Sequence, residues 1–202
     1  MTKQPHKHGR QRGFTLVELM IVIVIAAILL SIAAPSFEET IKRNRRLTSL
    51  EDTLGTLATA RTEAVSRATP VAICPSSDGS ACAGNWEDGV IMFEDDGAGA
   101  GTAEDGDRSG DEELIRIAGA YPNGITVRSG GSFTDTGTVI FDELGAVADN
   151  GTLIICDEDG VQEARGVVIN LSGQPRLAVD ENDPADGIVN DDRGAGNNVV
   201  CP

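Results

Sequence analysis

Polar and apolar positions divide the chain into three regimes. From Phe14 to Ala34 every residue is apolar or small except Thr15, Glu18 and Ser31, and after Glu18 no charge follows until Glu38. An apolar run of that length predicts a helix able to cross a bilayer core, which takes about 20 residues. Between 36 and 68 the spacing changes. Phe37, Ile41, Leu47, Leu50, Leu54, Leu57, Ala64 and Val65 recur mostly at three- and four-residue steps, with Glu38, Glu39, Lys42, Glu51, Asp52, Arg61 and Glu63 on the other faces. That periodicity predicts an amphipathic helix with one face to bury. Pro35 is expected to kink the helix between its halves, because proline removes a backbone donor and crowds the preceding turn. Thr69-Pro70 should end it.

Beyond Pro70 the pattern is one of short β runs at 71–73, 90–93, 114–117, 125–128, 138–141, 152–155, 167–170 and 176–179, separated by Gly, Asn, Asp and Pro. One long helix followed by short strands with mostly antiparallel spacing predicts an α+β chain. Its parts are a transmembrane half-helix (14–35), an amphipathic half-helix (36–68), and a β-rich globular domain (69–202) whose antiparallel sheet lies on the second half-helix.

The start of the apolar run carries the most specific motif. Gly13 is followed by Phe14-Thr15-Leu16-Val17-Glu18-Leu19, behind a short leader holding Lys3, Lys7, Arg10 and Arg12. This resembles a type IV prepilin signal. The resemblance implies that a prepilin peptidase removes residues 1–13 by cutting between Gly13 and Phe14, and that the new Phe14 amine is N-methylated. It also implies that the Glu18 carboxylate neutralises the Phe14 amine of a neighbouring pilin or pseudopilin in a filament. The physics agrees, since an ammonium and a carboxylate buried among apolar helices are each costly alone and tolerable as a pair. An ordinary secretory signal would instead be cut after the apolar run, where Ala33-Ala34 offers small residues.

Charge sharpens this reading. Lys plus Arg number 16 and Asp plus Glu 32, a net charge of −16, and loss of the four leader cations takes it to −20. Basic residues ahead of the span hold that end in the cytoplasm. The span would then sit in the inner membrane as a single pass, with the β domain in the periplasm. So acidic a chain repels nucleic acid and anionic lipid at long range. Lys42, Arg43, Arg45 and Arg46 form a local basic cluster, which reads as a solvated helix face near lipid headgroups. Four cysteines, all beyond the span, form an even set expected to be disulfide-bonded, with three pairings open. Cys74–Cys82 and Cys156–Cys201 are favoured: the first closes a short loop holding Pro75 and Gly79, and the second pins the tail to the sheet. Zinc is disfavoured, because no C-x-x-C occurs and the only histidines, His6 and His8, lie in the leader.

A second resemblance covers the rest of the chain. Asn44-Arg45-Arg46-Leu47-Thr48-Ser49-Leu50, Ala60 to Arg67, and Thr69-Pro70-Val71-Ala72-Ile73-Cys74 are similar to the FimT/GspH family of minor pilins and pseudopilins. So are Trp86 to Phe93 and Val167 to Arg176. The resemblance implies a low-abundance subunit that primes or caps assembly of a type IV pilus, or the corresponding subunit of a type II secretion pseudopilus. The Cys156 and Cys201 pair favours the pilus, where a stapled C-terminal segment suits a fibre exposed outside the cell. Some FimT-like members bind DNA through a Gly-Arg-x-Arg turn. Here the turn is Gly173-Gln174-Pro175-Arg176, so Arg176 matches and Gln174 replaces the other Arg, which argues against DNA together with the acidic charge.

The remaining candidate chemistry lies in acidic loops. Asp105, Asp107, Ser109 and Asp111 place oxygens at alternate positions with Gly110 at the sixth, like the opening of a calcium loop. Arg116 stands at the twelfth position, where a bidentate Glu is expected. The competing reading is a solvated acidic loop from Glu94 to Glu113 with no cofactor. A second tract, Asp180 to Asp183 with Asp186, Asp191 and Asp192, reads as a flexible tail. Catalysis has nothing to stand on: no Ser/His/Asp set, no phosphate loop, and no His outside the leader.

Overall fold

The computed structural model describes residues 13–99, 101–109, 111–130, 133, 137–182, 184–194 and 196–201, and at 32–36 the backbone alone. The leader positions 1–12 lie outside these residues. The chain divides into two units, Met1–Lys42 and Arg43–Pro202. A single α-helix, α1 (Leu16–Arg67), has residues in both. Pro35 does not end it: the backbone stays α-helical through the proline.

Within the second unit, α1 buries Arg46, Ser49, Leu50, Thr53, Leu57, Ala60 and Ala64. The spacing is helical, as the sequence pattern requires. The face is rotated from the expected one, because Leu47 and Val65 are exposed while two hydroxyls and a guanidinium are inside. Thr53 resolves its burial by donating to the Ser49 carbonyl at 2.7 Å and sharing a 2.7 Å hydrogen bond with the Tyr121 hydroxyl. The helix stops at Arg67. Ala68 takes a left-handed φ of 52°, and the Thr69 amide reaches back to the Ala64 carbonyl at 3.3 Å. This is the six-to-one bond of a Schellman ending, made here with an alanine where glycine is usual.

Among the described residues eight strands follow, near each expected position: β1 (Val71–Pro75), β2 (Val90–Glu94), β3 (Leu114–Ala118), β4 (Thr126–Gly130), β5 (Val139–Phe141), β6 (Gly151–Cys156), β7 (Arg165–Ile169) and β8 (Pro175–Leu177). They form two antiparallel sheets rather than one, ordered β3-β2-β1-β5 and β4-β6-β7-β8. Inward residues of both sheets meet the same helix face. Val71, Ile73, Val90, Met92, Val139 and Phe141 from the first join Val127, Leu153, Ile155, Val167 and Ile169 from the second, around Leu50, Leu57, Ala60 and Ala64.

The outer faces are covered too, so β1 and β6 are buried on both sides, and their side chains are apolar but for Thr152. Ala72, Cys74, Ile91 and Phe93 form a second cluster, with Cys82, Leu114 and Ile140 packed against it. Ile154, Cys156, Ala164 and Val199 form a third, with Val161, Ile188, Val189 and Cys201. The disulfides of the structure are Cys74–Cys82 and Cys156–Cys201.

The flexible-tail reading of the C-terminal acidic tract is corrected here. Asn190, Asp191 and Val199 are buried. The tail carboxylates are consumed by local donors: Asp180 accepts the Gly187 amide at 2.7 Å, and Asp186 accepts the Asn198 side chain at 2.7 Å, which draws the Asp186 carboxyl below its usual range. Asp192 accepts the Asn150 side chain at 2.6 Å, tying the tail to the start of β6. A charged segment of this kind is ordered because its acceptors find amide donors, not because it is apolar.

Candidate assembly site

Residues 13–15 precede α1 in non-helical backbone. Thr15 acts as the N-cap, its hydroxyl accepting the Glu18 amide at 3.2 Å while its carbonyl accepts the Leu19 amide at 3.1 Å. Glu18 is therefore the third helical residue. The pattern Thr15-x-x-Glu18 is a capping-box signature, legible in the sequence. At that position the helix macrodipole favours a negative charge. The Glu18 side chain is exposed and makes no hydrogen bond or ion pair among the described residues.

Around it is a sleeve of exposed apolar side chains. Phe14 is 82% exposed, and Leu16, Val17, Leu19, Met20 and the residues on to Leu30 are uncovered on every helix face. Hydrophobic all round, the segment matches a solvent or partner that is itself apolar. Among the described residues no helix is long and apolar enough to cross a membrane. The described side chains of the run end at Ser31, and Ile32, Ala33 and Ala34, which extend it in the sequence, are outside that description.

The basic cluster after the span does not behave as one solvated face. Arg43 and Arg45 are exposed, but Arg46 is buried inside a cage of acids. It donates to Asp157 at 2.7 Å, Asp159 at 3.0 Å and Glu163 at 3.1 Å, all at the turn between β6 and β7. Three carboxylates draw the guanidinium in, and its planar fork serves more than one of them at once. Sequence reasoning missed this pairing, since Arg46 and its partners lie more than 100 positions apart and look like their neighbours.

The DNA candidate, Arg176, lies on the edge strand β8 with Glu181 at 3.7 Å. Its turn is held by a bond from the Gly173 amide to the Asn170 carbonyl at 2.8 Å. Gly173 has φ 71°, and a Cβ there would stand 1.8 Å from the Gly145 carbonyl oxygen, so the turn is built around close backbone approach.

The calcium candidates do not converge. Among the described residues no group of three His, Cys, Asp or Glu side chains could hold a metal ion. Asp105 accepts the Asp107 amide at 3.0 Å, and the Ser109 hydroxyl faces the Ala98 carbonyl at 3.5 Å. The solvated-loop reading holds for Asp96, Glu104, Asp105, Asp107 and Asp111, which are exposed, and fails at Asp95 and Glu112, which are buried. In an acidic, Gly-rich stretch nothing in the sequence marks which two carboxylates turn inward.

A family model described as type II transport protein GspH matches residues 49–173. The chain belongs to the GspH family. A second model, the prokaryotic N-terminal methylation motif, matches residues 8–34 of this GspH-family chain, the stretch that holds Gly13, Phe14 and Glu18. Among solved structures, the type IV minor pilin FimU of Pseudomonas aeruginosa is 21% identical with a TM-score of 0.51, over 68% of this chain and 91% of FimU. The minor pseudopilin EpsH from the Type 2 Secretion System of Vibrio cholerae is 14% identical with a TM-score of 0.43, over 66% of this chain and 95% of EpsH. The likeness to FimU shows a pilin-type fold, a long helix packed on antiparallel sheets. This is a family of structural subunits rather than of enzymes. The tail that Cys201 fastens to β6 lies beyond the family match.

Proposed function

We propose that this GspH-family chain is a low-abundance subunit that primes or caps a type IV pilus. A prepilin peptidase cuts it between Gly13 and Phe14 and Phe14 is methylated. Residues 14–35 then anchor it in the inner membrane until neighbouring pilins take it up into a filament. The observation that carries the reading is the exposed Glu18, without a partner among the described residues, at the mouth of an apolar sleeve. In a dry filament interior that carboxylate needs a cation, and the Phe14 amine of the next subunit supplies one without adding a side chain. The match to the methylation motif supports the processing step. A second reading, a subunit of a type II secretion pseudopilus, is favoured by the description of the family model.

The test expresses the full chain with and without a prepilin peptidase and takes the intact mass. Loss of residues 1–13 plus one methyl group, only with the peptidase present, is the expected result. Gly13→Ala should block the cut. Glu18→Ala should leave processing intact and lower recovery in sheared filaments; unchanged recovery would remove Glu18 from assembly, and an uncut chain would remove the pathway itself.

A further inference from the structure

Strand β3 forms one edge of the first sheet. β2 lies on one side of it, and among the described residues no strand lies on the other. An open edge presents unpaired backbone donors and acceptors, a template on which a further strand can form. Alongside runs a groove of about 480 Å³ between β3 and α1. The helix lends Glu51, Asp52 and Gly55 to its walls, and β3 with the chain just after it lends Arg116, Ile117 and Gly119.

Several features of these walls are unused by the chain itself. Gly55 is interior to α1, where glycine is costly relative to alanine. Its φ is ordinary, and a Cβ there would meet nothing within 4 Å. The same is true of Gly119 on the strand side. Neither backbone strain nor packing among the described residues calls for glycine at either position. Glu51, Asp52 and Arg116 are exposed, and none of their side chains makes a hydrogen bond or ion pair among the described residues. Ile117 is 56% exposed. It stands opposite Ile91 of the outer cluster, and Arg116 stands opposite Met92 of the core, so consecutive edge residues face opposite sides of the sheet.

We propose that this groove takes an extended, basic strand of a partner protein, which pairs with β3 and adds one strand to the first sheet. Backbone hydrogen bonds to the open edge supply the affinity, and side chains alternating between the two faces supply the selectivity. On the helix side the strand passes close over Gly55, so its residue there is small, and a basic side chain next to it meets Glu51 and Asp52. On the outer side an apolar residue packs beside Ile117. The long-range field favours the same occupant. With a net charge of −16, the chain attracts a basic strand and repels a second copy of itself.

Amide hydrogen exchange of the full chain in detergent tests this. The probe is a blocked eight-residue peptide with valine on one face and glycine and lysine on the other, and its control carries glutamate in place of lysine. For a Kd of about 1 mM, about 5 mM lysine peptide should slow the β3 amides that turn away from β2 about sixfold, and leave amides inside β6 unchanged. The glutamate peptide should slow neither. Gly55→Leu should abolish the effect. Gly55→Ala should raise Tm, because nothing in the chain meets the added methyl group, and still weaken binding. Glu51→Lys with Asp52→Lys should transfer the preference to the glutamate peptide. No slowing in the parent chain, equal slowing by both peptides, undiminished binding in Gly55→Leu, or a lower Tm in Gly55→Ala would overturn the proposal. So would β3 amides slowing without peptide as protein concentration rises, which would assign the edge to a second copy of the chain.

Discussion

Replacing Arg46 with alanine should unfold this domain more readily than any comparable change on its helix. The side chains of Arg46 and Asp157 are each 5% exposed, and their 2.7 Å contact is the shortest of the three. Asp159 and Glu163 are 32% and 48% exposed, so water can recover most of what they lose. Asp157 cannot be rehydrated in place. Removing one partner of a buried pair costs about 3–5 kcal/mol, because the other charge is left uncompensated. With two of the three acceptors near water, the low end, about 3 kcal/mol, is expected. For a domain of this size that lowers Tm by roughly 6–12 °C. The assay is thermal unfolding of the full chain in detergent by circular dichroism. Arg46→Lys should lose less, since it keeps the charge without the fork. Arg46→Met with Asp157→Asn should recover much of the loss, because the stranded charge is gone. A loss below about 1 kcal/mol in Arg46→Ala, or a double variant no better than the single one, would refute the account.

Two further outcomes follow from the fold. The disulfides differ in the loops they close, 45 residues for Cys156–Cys201 and 8 for Cys74–Cys82. In the chain-entropy picture paired Cys→Ser variants should cost about 4 and about 2.5 kcal/mol, read from denaturant midpoints, and the reverse order would show that strain or residual structure dominates. Ala68→Gly should raise stability by about 0.5–1 kcal/mol, since a left-handed residue at a helix end is cheaper without a Cβ; a destabilised variant would mean that unfolded-state entropy outweighs the relief.

Local pattern carried the elements, and distance in the chain limited the rest. Strands such as Val71–Pro75 and Val90–Glu94 announce themselves by composition and bounding turns. Nothing within Thr126–Gly130 says that it pairs with β6 rather than with β3 or β5, so one sheet was expected where two exist. The apolar stripe of the helix was legible, but its rotation was not. Arg46 turns inward only because three acids arrive from the other end of the chain, and no periodicity records that. At the candidate assembly site Gly13, Phe14 and Glu18 fall within six residues, so the motif is local. Asp95 and Glu112 could not be read, because burial there is decided by which carboxylates meet backbone amides after the sheet has formed.

The Arg46 cage and the second disulfide share a neighbourhood. Asp157 follows Cys156 directly, and Cys156 is bonded to Cys201. Tension along the helix would be carried in part by Arg46, next to Arg45, which donates to the Asn123 carbonyl at 3.5 Å. It would pass one residue along β6 and enter a covalent link to the tail. Beside the apolar core that Leu50 and Leu57 enter, helix and tail are thus joined by a second route made of a multivalent ion pair and a covalent bond.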